Sequence, residues 1–398
     1  MSELQKYLID FMHKVLDRVG GREAGSRQEK IASEMIEAEF SQYCDETISE
    51  PFVVAPRAFL GFLPWIVVTY WISLIVYWKT PLVSLLIMSV ALVVFIEQFV
   101  LSHPFLDPLY KKSESRNLTG VIKPSGEVRQ RLFFNAHVDS AYEFTIWYIF
   151  KGANIIFMIA GVLAIFYMEI LAILKVIFDL AGHGDKPFLA TMGYIAVGLV
   201  PFTIPFLFFV SKRVVPGASD DLSGIAAMIG IAKRVKEMKN NGQLPKHTEI
   251  RFLALGSEEA GLRGSIAYVR QNSHLLKDCK TYNVTFEGIE APEKMRVITH
   301  EFFKAKHSKT LENMLFNIAK RNDWFLRTDV IPFGGTDAST FTQEGVESTC
   351  LLGMNTQPWP INYHTRRDTM EYVTPEGLER AVDFGVELLK DLDAKAAK

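Results

Sequence analysis

Residues 132–139 read Leu-Phe-Phe-Asn-Ala-His-Val-Asp, a short apolar run ending on two groups able to hold a metal ion. A run of this length, rich in strand-forming residues and closed by a polar cluster, reads as a buried strand. Two more stretches follow the same plan. Thr248-Glu-Ile-Arg-Phe-Leu-Ala-Leu255 runs into Ser257-Glu258-Glu259, and Tyr282-Asn-Val-Thr-Phe286 runs into Glu287. Helical stretches lie between them, from Ser223 to Lys239 and from Leu262 to Gln271. A last helix, Glu376 to Lys390, follows Pro375, a residue suited to a first helical turn. Near the start, residues 26–40 are helical in composition, with apolar positions at 31, 32, 35, 36 and 40. Strands alternating with helices predict an α/β fold, a mostly parallel mixed sheet with helices on both faces. Ligand sites in such sheets lie beyond the carboxyl ends of the strands, where the polar clusters fall.

This reading leaves out the most apolar parts of the chain. Residues 58–78 contain no Asp, Glu, Lys or Arg, and neither do 80–96, 152–168 and 187–211. A bilayer core needs about 20 such residues as helix, with a range of about 17–25. The runs therefore read as four spans in two hairpins, with Trp65, Trp71, Trp78 and Trp147 placed as interfacial aromatics. Lys79-Thr-Pro81 is the tight turn of the first hairpin. Residues 169–186 carry Glu169, Lys175 and Asp179 among apolar neighbours, and read as an amphipathic helix in the far interface. Glu169 and Lys151, at the margins of the third run, read as snorkelling residues. The expected organisation is 1–57, 102–143 and 212–398 as one domain, interrupted by hairpins at 58–101 and 144–211. Arg57, Lys111, Lys112, Arg116, Lys212 and Arg213 on the domain's side outnumber Lys79, Lys175 and Lys186 opposite. The positive-inside rule turns the domain to the cytoplasm. The opening Met-Ser-Glu-Leu-Gln-Lys-Tyr lacks a signal-peptide layout, in keeping with that side.

Charge and cysteine content narrow the function. With 43 Lys+Arg against 45 Asp+Glu, the chain has no electrostatic footprint for nucleic acid. Cys44, Cys279 and Cys350 are odd in number and far apart, which excludes a disulfide framework and fits a reducing compartment. A lone His-x-Asp or Glu-Glu is usually solvated charge. Here several strand ends each deliver hard oxygens or imidazoles and no thiolate, a mix suited to zinc or another divalent first-row ion in a catalytic site. His13, His103, His183, His247, His274, His300 and His307 have no motif around them and read as structural or exposed.

Five segments, in order, resemble metallopeptidase family 28, the co-catalytic zinc aminopeptidases and carboxypeptidases. Gly21-Arg-Glu-Ala-Gly-Ser26 resembles the entry to its N-terminal helix on the substrate side. Phe134-Asn-Ala-His-Val-Asp-Ser140 resembles its first metal motif, and Gly217-Ala-Ser-Asp-Asp-Leu-Ser-Gly224 the bridging-carboxylate motif. Ser257-Glu-Glu-Ala-Gly-Leu-Arg-Gly-Ser265 resembles the general-base motif, and Tyr363-His-Thr-Arg-Arg-Asp-Thr369 the final histidine motif. The resemblance implies a zinc-exopeptidase-like fold and two Zn²⁺ per chain. It makes Asp220 the bridging ligand, because a carboxylate has two oxygens for ions about 3.5–4 Å apart. His137 and Glu287 complete one ion, and Glu259 and His364 the other. Asp139 orients His137 through its second ring nitrogen, and Asp368 supports the site from behind the ligands. Glu258, pointing opposite to Glu259 in an extended segment, takes the proton of the metal-bridging water as general base. Tyr363 donates to the oxyanion.

Two departures from the family pattern matter. Glu287 stands where Asp is usual, with Asn283 and Glu290 as competitors. In Gly334-Gly-Thr-Asp337-Ala-Ser-Thr-Phe341, Ala338 replaces the usual His, leaving Asp337 to order the site or meet a substrate amine. The expected function is a membrane-embedded zinc-dependent exopeptidase, most simply an aminopeptidase. The alternatives are an amide-bond transferase or glutaminyl-cyclase-like enzyme on the same fold, and a non-catalytic membrane adaptor. Because 83 positions separate His137 from Asp220 and the insertion is a hairpin, the expected partners are the bilayer and peptides derived from it.

Overall fold

The computed structural model describes residues 1–243, 245–356 and 360–397. The chain divides into two compact units. One comprises Met1–Pro56, Lys111–Tyr142 and Arg213–Lys398, the other Arg57–Tyr110 and Glu143–Lys212.

The first unit is built on β1 (Glu46–Val54), β2 (Ser113–Ile122) and β3 (Gln130–His137). After the short β4 (Tyr142–Phe144) and β5 (Val210–Val214) come β6 (Thr248–Leu255), β7 (Lys280–Glu287), β8 (Arg296–Glu301), β9 (Ala305–Lys306), β10 (Arg327–Ile331) and β11 (Glu347–Leu352). The main sheet has the order β1-β2-β6-β3-β7-β11-β8-β10, with β9 on β8, and β4 pairs with β5 separately. β6, β3, β7 and β11 run parallel, while β2 and β8 are antiparallel to their inner neighbours. The predicted mostly parallel mixed sheet is therefore the one observed.

Every residue of β3 is buried, as expected of a strand covered on both faces. Alternation sends Phe134 to one side, against Phe252 and Phe286. Phe133 goes to the other, against Tyr268 and Phe341. Each such ring contributes about 1.5–3 kcal/mol by burial. The helix Ser223–Asn240 packs its buried Ile225, Met228, Ile229 and Ala232 into the first of these cores. The expected helix at 26–40 runs Arg27–Tyr43, its N-cap Ser26 accepting from the Glu29 amide at 3.2 Å. The last helix, Pro375–Ala396, starts at the predicted proline behind an N-cap threonine, Thr374.

The second unit holds four helices long and apolar enough to cross a membrane: Ala58–Tyr77, Pro81–Val100, Thr145–Leu180 and Pro187–Phe208. Their inward faces share a core of Tyr70, Leu74, Tyr77, Met88, Ala164 and Met168. Several of their polar groups are satisfied within the bundle, as a span in lipid would need. Tyr70 donates to the Ala196 carbonyl at 2.7 Å, Tyr77 to that of Leu189 at 3.0 Å and Tyr167 to that of Met192 at 2.9 Å. Large apolar side chains such as Trp65, Ile75 and Leu163 are more than half exposed.

Three expectations are corrected here. Residues 169–180 are not a separate interfacial helix but the continuation of Asn154–Leu180. Nothing between Val162 and Leu180 is Gly or Pro, so no residue breaks the ladder. Glu169 does not snorkel, since its Oε1 accepts from Ser89 at 2.8 Å. Residues 102–110 also count with the helical unit rather than with the sheet.

Close packing makes Gly264 a test of the sheet's edge. A Cβ there would lie 2.0 Å from the Gly256 carbonyl oxygen and 2.9 Å from Asn117 Oδ1. Gly264→Ala is expected to lower stability by about 1–3 kcal/mol. Gly198→Ala, with nothing within 4 Å, should be silent in the same thermal-unfolding measurement. Equal midpoints for the two variants would contradict this packing.

Candidate functional site

Register builds the site. His137 ends β3 opposite Leu255, the last residue of β6. Asn135 pairs with Thr285, so His137 and Glu287 close their two strands side by side. Ser257-Glu258-Glu259 follows β6 directly, and Asp220 precedes the helix Ser223–Asn240 that covers the sheet.

The central observation is at Asp220. Its Oδ1 lies 3.0 Å from His137 Nε2, and its Oδ2 lies 3.1 Å from His364 Nε2. Glu287 Oε1 is 3.5 Å from His137 Nε2, and Glu259 Oε1 is 3.4 Å from His364 Nε2. Beside a third group, His137–Glu258–Glu259, two groups of three donors share Asp220: His137–Asp220–Glu287 and Asp220–Glu259–His364. In each, one ligand-type atom per residue lies within 4.8 Å of the others, and Asp220 belongs to both.

The surroundings fit a cation. Burial alone would lower His137, but hydrogen bonds from its ring to Asp139, Asp220 and Glu287 outweigh that and hold it well above the usual imidazole range. Glu258 and Glu259 are pushed well above theirs, by desolvation first and neighbouring carboxylates next. Glu287 is pushed up to about 7 for the same leading reason. Glu259 Oε1 and Glu287 Oε2 are buried with no hydrogen-bond partner among the described residues. Crowded carboxylates, two imidazoles and orphaned oxygens aimed into one space are the donor set a divalent first-row ion takes.

Behind these donors, other carboxylates hold backbone amides. Asp368 accepts from Ser219 N at 2.7 Å and from Asp220 N at 3.0 Å. Asp139 accepts from Glu258 N at 2.9 Å and from Glu259 N at 3.0 Å. This revises its expected role. His137 Nδ1 lies 3.1 Å from the Asp139 carbonyl oxygen and 3.5 Å from its carboxylate, so the main chain orients the ring while the carboxylate holds the Glu258–Glu259 turn. That segment is a turn, not an extended strand, and an oxygen of each glutamate lies within 4.8 Å of a His137 ring nitrogen. Tyr363 stacks on His364, ring centroids 4.0 Å apart. Desolvation, then Asp220 and Glu259, keeps its hydroxyl protonated.

The competitors of Glu287 lie elsewhere. Asn283 bridges Asn135 and Ser348 within the sheet. Glu290 accepts from Ser219, Asn362 and Lys294. Asp337 is buried and joins neither donor group among the described residues. Desolvation pushes its carboxyl up to about 6, against the pull of His137.

Sequence reasoning missed three buried residues. Asp221 accepts from the amides of His137, Gly224 and Gly288. Glu29 accepts from Ser257 through amide and hydroxyl, and desolvation, then Asp139, pushes it up to about 8. Arg22, expected at a substrate-side helix entry, is instead fully buried among backbone carbonyls. Only Asp221 had a visible signal, the doubled acid of Ser219-Asp-Asp221.

The comparisons with known proteins meet this geometry. The model of peptidase family M28 matches residues 204–388. Aminopeptidase YwaD of Bacillus subtilis is 28% identical over 176 residues, covering 42% of this chain and 36% of that protein, about a third of its length. A solved zinc aminopeptidase from Bacillus subtilis superposes with TM-score 0.59 at 16% identity, covering 98% of this chain and 95% of the other. A glutaminyl cyclase from Bacteroides thetaiotaomicron, bound to N-acetylhistamine, gives 0.57 at 12% identity and 97% of each. The fold is thus shared by zinc aminopeptidases and glutaminyl cyclases. The family match itself extends over residues 204–388, a little under half of the chain.

If Glu287 rather than Glu290 belongs to the ligand set, Glu287→Gln will lower zinc affinity by about tenfold or more. Glu290→Gln should stay within about threefold of the parent in the same competition titration. The reverse order would exchange their assignments.

Proposed function

We propose that the protein is a dinuclear zinc exopeptidase of the aminopeptidase type, anchored by four membrane spans with its catalytic unit in the cytoplasm. The observation that carries the reading is Asp220 presenting one oxygen to each donor group. His137 and Glu287 would hold one ion, Glu259 and His364 the other. When bound, zinc lowers the pKa of water and polarises the scissile carbonyl.

The chain's own groups supply the rest. Glu258, held by Asp139 through its amide, accepts the proton of the attacking water and returns it to the leaving amine. A carboxyl with its affinity for protons raised by its surroundings is suited to that exchange. The Tyr363 hydroxyl donates to the oxyanion as the carbonyl becomes tetrahedral. Asp368 and Asp139 keep the ligand segments from shifting. Asp337 is the candidate to meet the substrate's amine. The helical insertion between His137 and Asp220 supports peptides from the bilayer as substrates.

A glutaminyl-cyclase-like reaction is the second reading, because solved cyclases share the fold about as closely as the aminopeptidases do. The doubled donor set favours hydrolysis. On a peptide library, purified protein should release free amino acids and lose activity to a chelator. Glu258→Gln should lower kcat about 10²–10⁴-fold with zinc content unchanged. Cyclised product without released amino acid would favour the second reading, and a chain that holds no zinc would remove both.

The proposed orientation has its own check. A cysteine placed at Gly182, in the loop between the third and fourth long helices, should react with an impermeant thiol reagent on intact cells. The native Cys279 should react only after lysis, and the opposite pattern would invert the topology.

A further inference from the structure

His137 and Asp220 must meet within hydrogen-bonding distance, yet 83 positions separate them and residues 143–212 between them belong to a separate compact unit. No short stretch of chain fixes one against the other. The link comes from the N-terminal segment. Arg22 is completely buried. Its Nε donates to the Val138 carbonyl at 2.6 Å, one residue past His137. Its Nη1 donates to Pro216 at 2.6 Å and its Nη2 to Gly217 at 2.8 Å, four and three residues before Asp220. A further bond from Nη1 reaches the Gly20 carbonyl at 3.2 Å.

The main chain of Arg22 joins the same two segments. Its amide donates to Ser140 Oγ at 2.9 Å, its carbonyl accepts from Ser140 N at 3.0 Å, and Ser140 Oγ donates to the Val215 carbonyl at 2.9 Å. The cradle is shaped to the guanidinium. Gly217 has φ +63°, and a Cβ there would stand 2.9 Å from Arg22 Nη2 and 2.5 Å from Ser140 Cβ. Burial works against the charge of the guanidinium, and the field of Asp368, Asp139, Asp221 and Asp220 opposes that loss.

We propose that Arg22 is a positioning residue that splices the two ligand-bearing segments across the helical insertion, setting the His137–Asp220 separation on which zinc affinity depends. The proposal rests on the dinuclear reading above. A planar fork with donors on several sides spans both segments at once, and a lysine, with one compact ammonium, does not.

The test uses the full chain in detergent, with zinc affinity read by competition against a chromogenic chelator. Arg22→Lys keeps the charge and most of the volume. It is expected to fold and to bind zinc at least about tenfold more weakly than the parent. Arg22→Ala should bind more weakly still, and millimolar guanidinium chloride should recover part of its affinity and activity. That rescue would not follow from a general loss of stability. Parent-like zinc affinity in both variants would overturn the proposal, and so would loss of folding in Arg22→Lys. A parent chain that binds no zinc would instead overturn the dinuclear reading.

Discussion

One constraint governs the site: six carboxylates, Asp139, Asp220, Asp221, Glu258, Glu259 and Glu287, crowd the ends of three strands with two imidazoles among them. Like charges at that density do not all ionise in a low-dielectric pocket unless something positive or a set of N–H donors answers them. The molecule divides them into two tiers. Asp139, Asp221 and, from farther along the chain, Asp368 are turned onto backbone amides. Those bonds use part of their acceptor capacity and tie them to the main chain. Asp220, Glu259 and Glu287 are left facing the imidazoles. The separation of holding carboxylates from open ones makes the donor set specific rather than merely acidic.

The backbone pays a conformational cost at the same places. Ser257 has φ +57°, next to Glu258, and His364 itself has φ +49°. Such left-handed values are uncommon outside glycine and cost of order 1–3 kcal/mol each where they persist. Gly288, directly after Glu287, has φ +55° and relieves the same demand with no Cβ. Each ligand segment leaves regular structure abruptly. Glu29 on the Ser257 amide and hydroxyl is one of the contacts that keep that turn from relaxing.

What was legible in the sequence follows from the range of the interactions involved. β6 was readable residue for residue because its apolar run and its polar terminus are both local signals. The four long helices were readable from the absence of charge alone. Strand β8 and the edge strand β10 were not, because their residues are mixed in polarity and their pairing is set by neighbours far away in sequence. The same limit hid Arg22 and Glu29. Both sit in an ordinary-looking helix approach, and each acquires its meaning only from segments more than 80 positions away. Asp139 was expected beside His137, whose Nδ1 lies 3.5 Å from its carboxylate, while its bonds to the Glu258–Glu259 amides had no local signal in the sequence.

Fold cannot decide between hydrolysis and cyclisation here, since solved aminopeptidases and cyclases superpose on the chain with nearly the same score. The proposed reading turns instead on one carboxylate. Had Asp220 turned both oxygens toward His137, the His364 side would hold only Glu259 and an imidazole, too few donors for a second ion. Instead each oxygen faces a different imidazole at 3.0–3.1 Å, held in that attitude by Asp368 on its own amide. Asp368 holds the Asp220 main chain, and under the proposed reading the division of the two Asp220 oxygens is what would separate a two-ion site from a one-ion site. That is why the functional reading rests on Asp220 and not on the sheet that carries it.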